Sequence, residues 1–568
     1  MRRRRGIRLL VVAVTGLLLA GCSGLPTSGP PNPGLTIGDD GQEQIFIPTA
    51  SDPQPGDSPE QIVKGFLEAS MTPTSNWDTA QKYLTDGFRA TWKPGSSVTI
   101  DESATTREFT STVKADDKSA KSAEVHAQFQ QVASVDASGA YTGDSGTAKA
   151  TYKLKREKDG EWRISEANDG IVLDAPTFPR VYQKYALKYF DPGWKHLVPD
   201  VRWFPRRPSM ATTIARALIS GKPSEWLAPA VRSAFTGDIS LAGDAVTVDS
   251  SQVATVGLSR TAMSASAIDL SRMRTQLESS LAGAGVSEVR FTVDGAPLEA
   301  GLIPVDENVV DPGVLVLTDD GFGRILSGAS VEPVGGLTAQ IAKMAVPPTA
   351  IDVSLDATLA AVQLRDGDVA ALRSGEQIPL DDRDDLIEPS LDPFGYVWTV
   401  PDDAPGMLVA WGVDRAQHPI AKAWPGADSI SQLRVSADGT RVAAVVTTGS
   451  QRSVVVAGIM RGENSEPVEL GAPHTIGELT GASQGLAWFG SDTVAVISST
   501  PDPIFTTFVI GGPSTASAAP DGAVAIAGAK TPTGLRVLSS DGSVYAQRGS
   551  SWQIAVPSAR VLGTRAGY

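Results

Sequence analysis

Residues 435–446 read VSADGTRVAAVV, a polar turn followed by a run of small and β-branched side chains. An Asp carboxylate can accept from the turn amides. A glycine at Gly439 takes positive φ at no steric cost. Related stretches are VSLDATLAAVQL from Val353 and PSLDPFGYVWTV from Pro389, with weaker copies WFGSDTVAVIS from Trp488 and AAPDGAVAIAG from Ala518. Their acids, Asp356, Asp392, Asp438, Asp492 and Asp521, are spaced by 36, 46, 54 and 29 residues. A propeller blade occupies ~40 to 50 residues. The spacing predicts a β-propeller of five to seven irregular blades over residues 306–568, with a β-sandwich as the alternative. The strand after each turn is expected to be buried near the propeller axis.

The chain just before this repeat has a different rhythm. A strand near Leu197–Phe204 precedes Pro208 and Ser209, and Met210, Ile214, Ala217 and Leu218 then follow helical spacing. Gly221 and Pro223 stop that helix. Strands are predicted over Val246–Val248 and Val253–Leu258. A second helix is predicted through Leu270, Met273, Leu277 and Leu281, and a last strand through Val289, Phe291 and Val293. This is a β-α-β-β-α-β domain over 181–305. Residues 58–180 predict another α+β domain. Ser58-Pro59-Glu60-Gln61 is a capping box with proline at the first helical position, and Ile62, Val63, Phe66 and Leu67 form one apolar face. A short helix carries Trp77, Ala80 and Leu84. Val125, Ala127 and Phe129, then Ala148, Ala150, Tyr152 and Leu154, alternate with polar residues as in a curved antiparallel sheet, and Trp162 and Ile164 follow the Gly160 turn. The pattern is that of a nuclear-transport-factor-2-like or cystatin-like domain acting as a packing or adaptor module. The fold class is therefore multidomain: α+β, α+β, then all-β.

Residues 23–57 hold seven prolines and six glycines without apolar periodicity and read, with Cys22, as a flexible tether over 22–57. Before them stand five arginines, Arg2 to Arg5 and Arg8, and the twelve-residue stretch Leu9–Ala20. That stretch is shorter than the ~20 residues of a spanning helix and suits a signal sequence over 1–21. It ends Leu19-Ala20-Gly21-Cys22, which resembles the bacterial lipobox. The resemblance implies cleavage between Gly21 and Cys22, with an S-diacylglycerol and an N-palmitoyl group on Cys22. Two acyl chains anchor where one would not. Cys22 is the only cysteine of the 568 residues, so the chain offers no disulfide, no thiolate metal site and no other thiol nucleophile. Without the leader the formal charge moves from −15 to −20, since five of the 49 basic residues and none of the 64 acidic ones lie there. Such a charge disfavours nucleic acid and anionic head groups as partners.

Two resemblances add to this reading. LVPDVRWFP, then ALISGKPSEWL, AVTVDSSQVATVGLS and VRFTVDG are similar to the germination-and-sporulation GerMN domain, which implies binding of partners or cell-wall material rather than catalysis. Lipobox, GerMN-like domain and propeller in this order resemble the actinobacterial lipoprotein LpqB family over the whole chain. That resemblance implies a lipid-anchored protein on the extracytoplasmic face of the cell membrane. The implied partner is the extracytoplasmic domain of a sensor histidine kinase of the MtrB type in the MtrAB two-component system. The implied process is cell-wall homeostasis and cell division.

Catalytic chemistry is thinly represented. The four histidines, His126, His196, His418 and His474, are scattered, and no HExxH occurs. Gly481-Ala482-Ser483-Gln484-Gly485 has the GxSxG form, but a nucleophile elbow needs a strand before it and a helix after it. His474 and Asp492 are near it only in sequence. Asp381-Asp382-Arg383-Asp384-Asp385 reads as a solvated loop in preference to a calcium site or a contact for a basic partner. Asp366-Gly367-Asp368 reads as a hairpin turn. The Ser436 turn resembles the sialidase Asp box, a structural hairpin. The aromatic stretch Trp194–Phe204 offers contact residues but reads better as core. The expectation is a protein-binding regulator, with no enzyme activity, cofactor or metal. The alternative is a glycan- or peptide-binding protein, or a weak hydrolase, using the propeller channel.

Overall fold

The computed structural model describes residues 50–73, 76–115, 117–207, 210–243, 245–306, 313–326, 330–549 and 551–567. The expected leader, the expected cleavage and lipidation site at Gly21 and Cys22, most of the expected tether and the helix start expected at Pro208 and Ser209 lie outside them.

The first helix, α1 (Pro59–Ala69), begins at its capping box: the Ser58 hydroxyl accepts from the Gln61 amide, and the Gln61 side chain accepts from the Ser58 amide at 2.8 Å. Its face of Ile62, Val63, Phe66 and Leu67 is buried. Two one-turn helices follow, α2 (Asp78–Gln81) and α3 (Asp86–Arg89). The sheet comprises β1 (Ser97–Asp101), β2 (Glu108–Ser111), β3 (Ser122–Asp136), β4 (Tyr141–Arg156), β5 (Trp162–Glu166) and β6 (Ile171–Asp174). Its order is β5-β4-β3-β1-β6, with β2 also on β3. The sheet is not wholly antiparallel as the alternation alone implied. The chain crosses from β5 to the opposite edge, where β6 pairs parallel with β1.

A single turn, α4 (Phe178–Val181), leads into β7 (Tyr182–Phe190), which pairs antiparallel with β8 (Leu197–Pro205) along its whole length. After α5 (Met210–Ser220) come β9 (Thr247–Val248), β10 (Val253–Gly257), α6 (Ala267–Leu281), β11 (Glu288–Val293) and β12 (Ala296–Leu298), in sheet order β12-β11-β10-β9. The pair β10 and β11 is parallel, joined by the α6 crossover. Both sheets and both long helices share one core, in which Leu187, Val198, Ile214, Leu277 and Phe291 meet. The β-α-β-β-α-β order holds from β8 onward; β7 and β12 extend it.

Among the described residues the C-terminal region forms six blades. The first is Pro348–Val353, Leu359–Leu364, Val369–Arg373 and Glu376–Asp381. The second runs from Ser390–Leu391 to Gln417–Pro419, the third from Ser429–Val435 to Pro467–Leu470 with His474–Glu478 added. The fourth runs from Ala482–Phe489 to Ser514–Ala518, and the fifth from Ala523–Ala527 to Ser551–Val556. The sixth closes the ring. Its inner strand is the C-terminal Val561–Arg565, paired antiparallel with Val314–Thr318, which in turn pairs with Gly321–Ile325.

The quoted turns join the first strand of a blade to the second in four cases, at Asp356, Asp392, Asp438 and Asp492. Asp521 is out of phase: it precedes the inner strand Ala523–Ala527, which explains the short final spacing. The small-residue strand is second from the axis and not innermost. It is apolar on both sides because neighbouring blades press on both. Leu359 and Ala361 pack toward Leu391 and Trp411 of the second blade, and Ala360 and Val362 toward Leu315 and Val561 of the sixth.

Candidate functional site

The β7–β12 domain sits on the propeller face formed by these Asp turns. Lys184 of β7 pairs with Asp492 at 2.9 Å. The neighbouring turn is wired internally. Asp438 accepts from the Ser436 hydroxyl at 2.7 Å and the Thr440 amide at 2.9 Å, and it pairs with Arg441. Arg441 is 1% exposed in its side chain, donates to the Ser491 carbonyl at 2.8 Å and lies over the Trp488 ring. Burial would raise the Asp438 carboxyl, but Arg441 and the hydroxyls outweigh it and hold it at about 2. Lys188, one strand turn beyond Lys184, faces a cleft of about 560 Å³ between the two domains. Burial lowers its ammonium pKa.

A second cleft, of about 600 Å³, lies where all three domains meet. Its walls are the β3–β4 hairpin tip, β8 with the loop after α5, and two propeller loops. Trp203 ties the three together. Its amide donates to the Gly139 carbonyl at 2.8 Å, and its indole N–H donates to the Gly511 carbonyl at 2.8 Å. Gly139 has φ 84°, and a Cβ there would lie 2.8 Å from the Trp203 carbonyl oxygen. Beside it the buried Arg202 bonds Asp200 at 2.9 Å and Ser224 at 2.8 Å. The Trp226 ring stacks on His474 at 5.7 Å and 7°. Burial lowers the His474 pKa, which favours the neutral ring.

A smaller cavity in the propeller, of about 190 Å³, is lined mainly by inner-strand residues of the first, third, fifth and sixth blades. Asp352 lies in its wall, 3% exposed. One carboxylate oxygen accepts from the Leu391 amide at 2.8 Å, and the other has no hydrogen-bond partner. Burial pushes this carboxyl up to about 6 against the pull of Arg434. Arg434 in turn pairs with Glu388 at 2.8 Å. No aromatic side chain lines this cavity among the described residues.

Sequence comparison fits this three-part layout. Residues 52–179 match the family described as the N-terminal domain of lipoprotein LpqB, residues 187–299 the Germane family of sporulation and spore germination, and residues 320–561 the lipoprotein LpqB β-propeller domain. The Streptomyces coelicolor protein named lipoprotein LpqB is 30% identical over 513 residues, covering 81% of this chain and 80% of its own. The chain belongs to the lipoprotein LpqB family. LpqB relatives from Nocardia farcinica and Mycobacterium bovis are each 26% identical and cover 87% and 86% of their own lengths. Among solved structures, the Cps50 (Swd1) β-propeller domain of Myceliophthora thermophila matches with a TM-score of 0.27 at 9% identity over 36% of this chain and 70% of that one. LpqB relatives are named lipoproteins, and no helix of the described residues is long and apolar enough to cross a membrane.

Within this LpqB frame the predicted chemical residues are dispersed. Ser483 stands on the inner strand Ala482–Phe489 and bonds Ser431 at 2.7 Å, so the GxSxG string runs through a strand and forms no elbow. His474 is stacked on Trp226 and Asp492 is paired with Lys184, so neither is engaged with Ser483. His126 contacts Thr151, His196 contacts the Asp306 carbonyl, and His418 meets the edge of Tyr396. In the acidic run Asp381 is buried and bound to Arg383 and to the Thr399 hydroxyl, which also accepts from the Trp411 indole at 2.8 Å. Asp366–Asp368 makes the expected hairpin between the second and third strands of the first blade, with Gly367 at φ 100°. In the aromatic stretch, Trp203 and Phe204 are both buried in hydrophobic cores, as expected, and Trp203 is also the three-domain tie. Sequence reasoning missed β7 and its Lys184, although Tyr185, Leu187 and Tyr189 alternate there with the small Ala186 and the polar Lys188. It also missed the role of Trp203 and Gly139, which no local pattern announces.

Proposed function

We propose that this LpqB-family protein is lipidated on Cys22, held on the extracytoplasmic face of the cell membrane, and regulates a sensor histidine kinase of the MtrB type by binding its extracytoplasmic domain. The process served is cell-wall homeostasis and cell division. The observation that carries the reading is the joining of three non-homologous domains through Trp203, Gly139 and the Lys184–Asp492 pair. A scaffold of this kind presents composite surfaces to a partner, and the candidate nucleophile and base residues have other structural partners. Such a protein shifts a two-state kinase only through unequal affinity for its two states. Crosslinking of the full lipoprotein in native membranes, followed by mass spectrometry, tests this. Crosslinks to the kinase's extracytoplasmic domain are expected; their absence, together with retention of the protein on purified wall, would sink the reading. The rival use of the propeller for a glycan draws little support from an inner-strand cavity of about 190 Å³ without an aromatic wall.

A further inference from the structure

We propose that the cleft at the three-domain junction is a binding site for a short, uncharged oligosaccharide. At about 600 Å³ the cleft lies in the range of small-molecule sites, which run from roughly 300 to 1,000 Å³. Its walls are fixed before any ligand arrives. Arg202 is held by Asp200 and Ser224, Trp226 by its stack on His474, and the hairpin tip by Trp203. Preorganised walls lower the ordering cost of binding.

The unspent polar groups define the chemistry. Among the described residues the Tyr141 and Thr142 hydroxyls, the His474 ring nitrogens, and the Lys222 and Glu225 side chains line the cleft, and none of these groups forms a hydrogen bond or ion pair. A hydroxyl donates and accepts, and so does a neutral imidazole. These are the valences that sugar hydroxyls complement. Tyr141, Trp226 and His474 add aromatic surface for the C–H faces of a sugar ring. A phosphate or other strong anion fits poorly. Asp200 neutralises Arg202, and the remaining lysine of the lining, Lys222, shares it with two further acids, Asp136 and Glu225. An apolar ligand would strand the polar groups without partners. Because the walls come from all three domains, an occupant would clamp them together. This inference is independent of the kinase reading: a kinase crosslink without sugar binding would overturn it alone.

The test is titration calorimetry and tryptophan fluorescence on the detergent-solubilised full-length lipoprotein, with triacetylchitotriose, maltotriose and trialanine as probes. Saturable binding of either saccharide is expected, with a change in tryptophan emission. Two gentle variants, Tyr141→Phe with Thr142→Val, and Glu225→Gln, should each weaken it by about ten-fold while the thermal midpoint stays in place. Trp226→Ala should abolish it. Trp226 also packs against both domains, so the milder variants decide the matter if this one unfolds. No binding of either saccharide at millimolar concentration would overturn the proposal. So would saccharide binding that the milder variants leave unchanged, or binding of trialanine alone.

Discussion

Asp438 and Asp352 are both buried carboxylates of the propeller, and their surroundings push them in opposite directions. Asp438 is held at about 2 by Arg441 and two hydroxyls, below the usual 3.8. Its contribution to stability is therefore present above about pH 4 and is lost as pH falls through about 2, amounting to about 2 kcal/mol. Asp438→Ala also leaves Arg441 buried without its partner. A loss of about 3 kcal/mol is expected, read as a drop in the urea midpoint at pH 7. Asp352 stands at about 6, above its unfolded value. The folded chain thus favours the protonated form, and stability falls as pH rises through about 6. Asp352→Asn should raise the unfolding free energy at pH 8 by about 3 kcal/mol, read from urea denaturation, and give no gain at pH 3.5. The turn that Asp438 forms is legible in the sequence, because the capping is local. The pKa of Asp352 is not, because Arg434 and the inner-strand neighbours that bury it come from other blades.

At the scale of elements, local chemistry was the best guide where it is self-sufficient. The capping box of α1 forms as its residues imply, and Ser58→Ala should cost about 1 kcal/mol, measured by chemical denaturation of the intact chain. The β3–β4 hairpin was visible from its alternation, but its contact with β8 was not. Gly139→Ala places a methyl against the Trp203 carbonyl at a positive φ. It should increase amide exchange in residues 136–142 and at Trp203 while exchange in the propeller inner strands is unchanged; equal protection in both variants would contradict the role given to Gly139. The small-residue strands were rightly read as buried strands but placed one position too close to the axis. A run apolar on both faces reports burial on both sides, and it does not say whether the covering comes from the axis or from adjacent blades. The strand β6 shows the same limit, since which sheet edge a strand joins depends on a long-range crossover.

For the whole molecule, the seam between the β7–β12 domain and the propeller is largely electrostatic on one side and aromatic on the other. Lys184→Glu sets like charges together at Asp492. Both groups are partly exposed, so a loosening of about 1 kcal/mol is expected, seen as faster amide exchange at residues 490–493 that lessens at high salt. The tether predicts its own outcome: Cys22→Ala should move the protein out of the membrane fraction and abolish palmitate labelling, and continued labelling would refute the lipobox reading. The sequence by itself determined the order of the three domains, the Asp turns, the capped helix and the family resemblance, since each rests on residues adjacent in the chain. Only the tertiary structure decided the blade count, the closure of the ring by Val561–Arg565 on Val314–Thr318, and the three-domain cleft around Trp203. Those depend on contacts between residues up to hundreds of positions apart, as in the Trp203–Gly511 bond, where the partner is a backbone carbonyl that carries no side-chain signature.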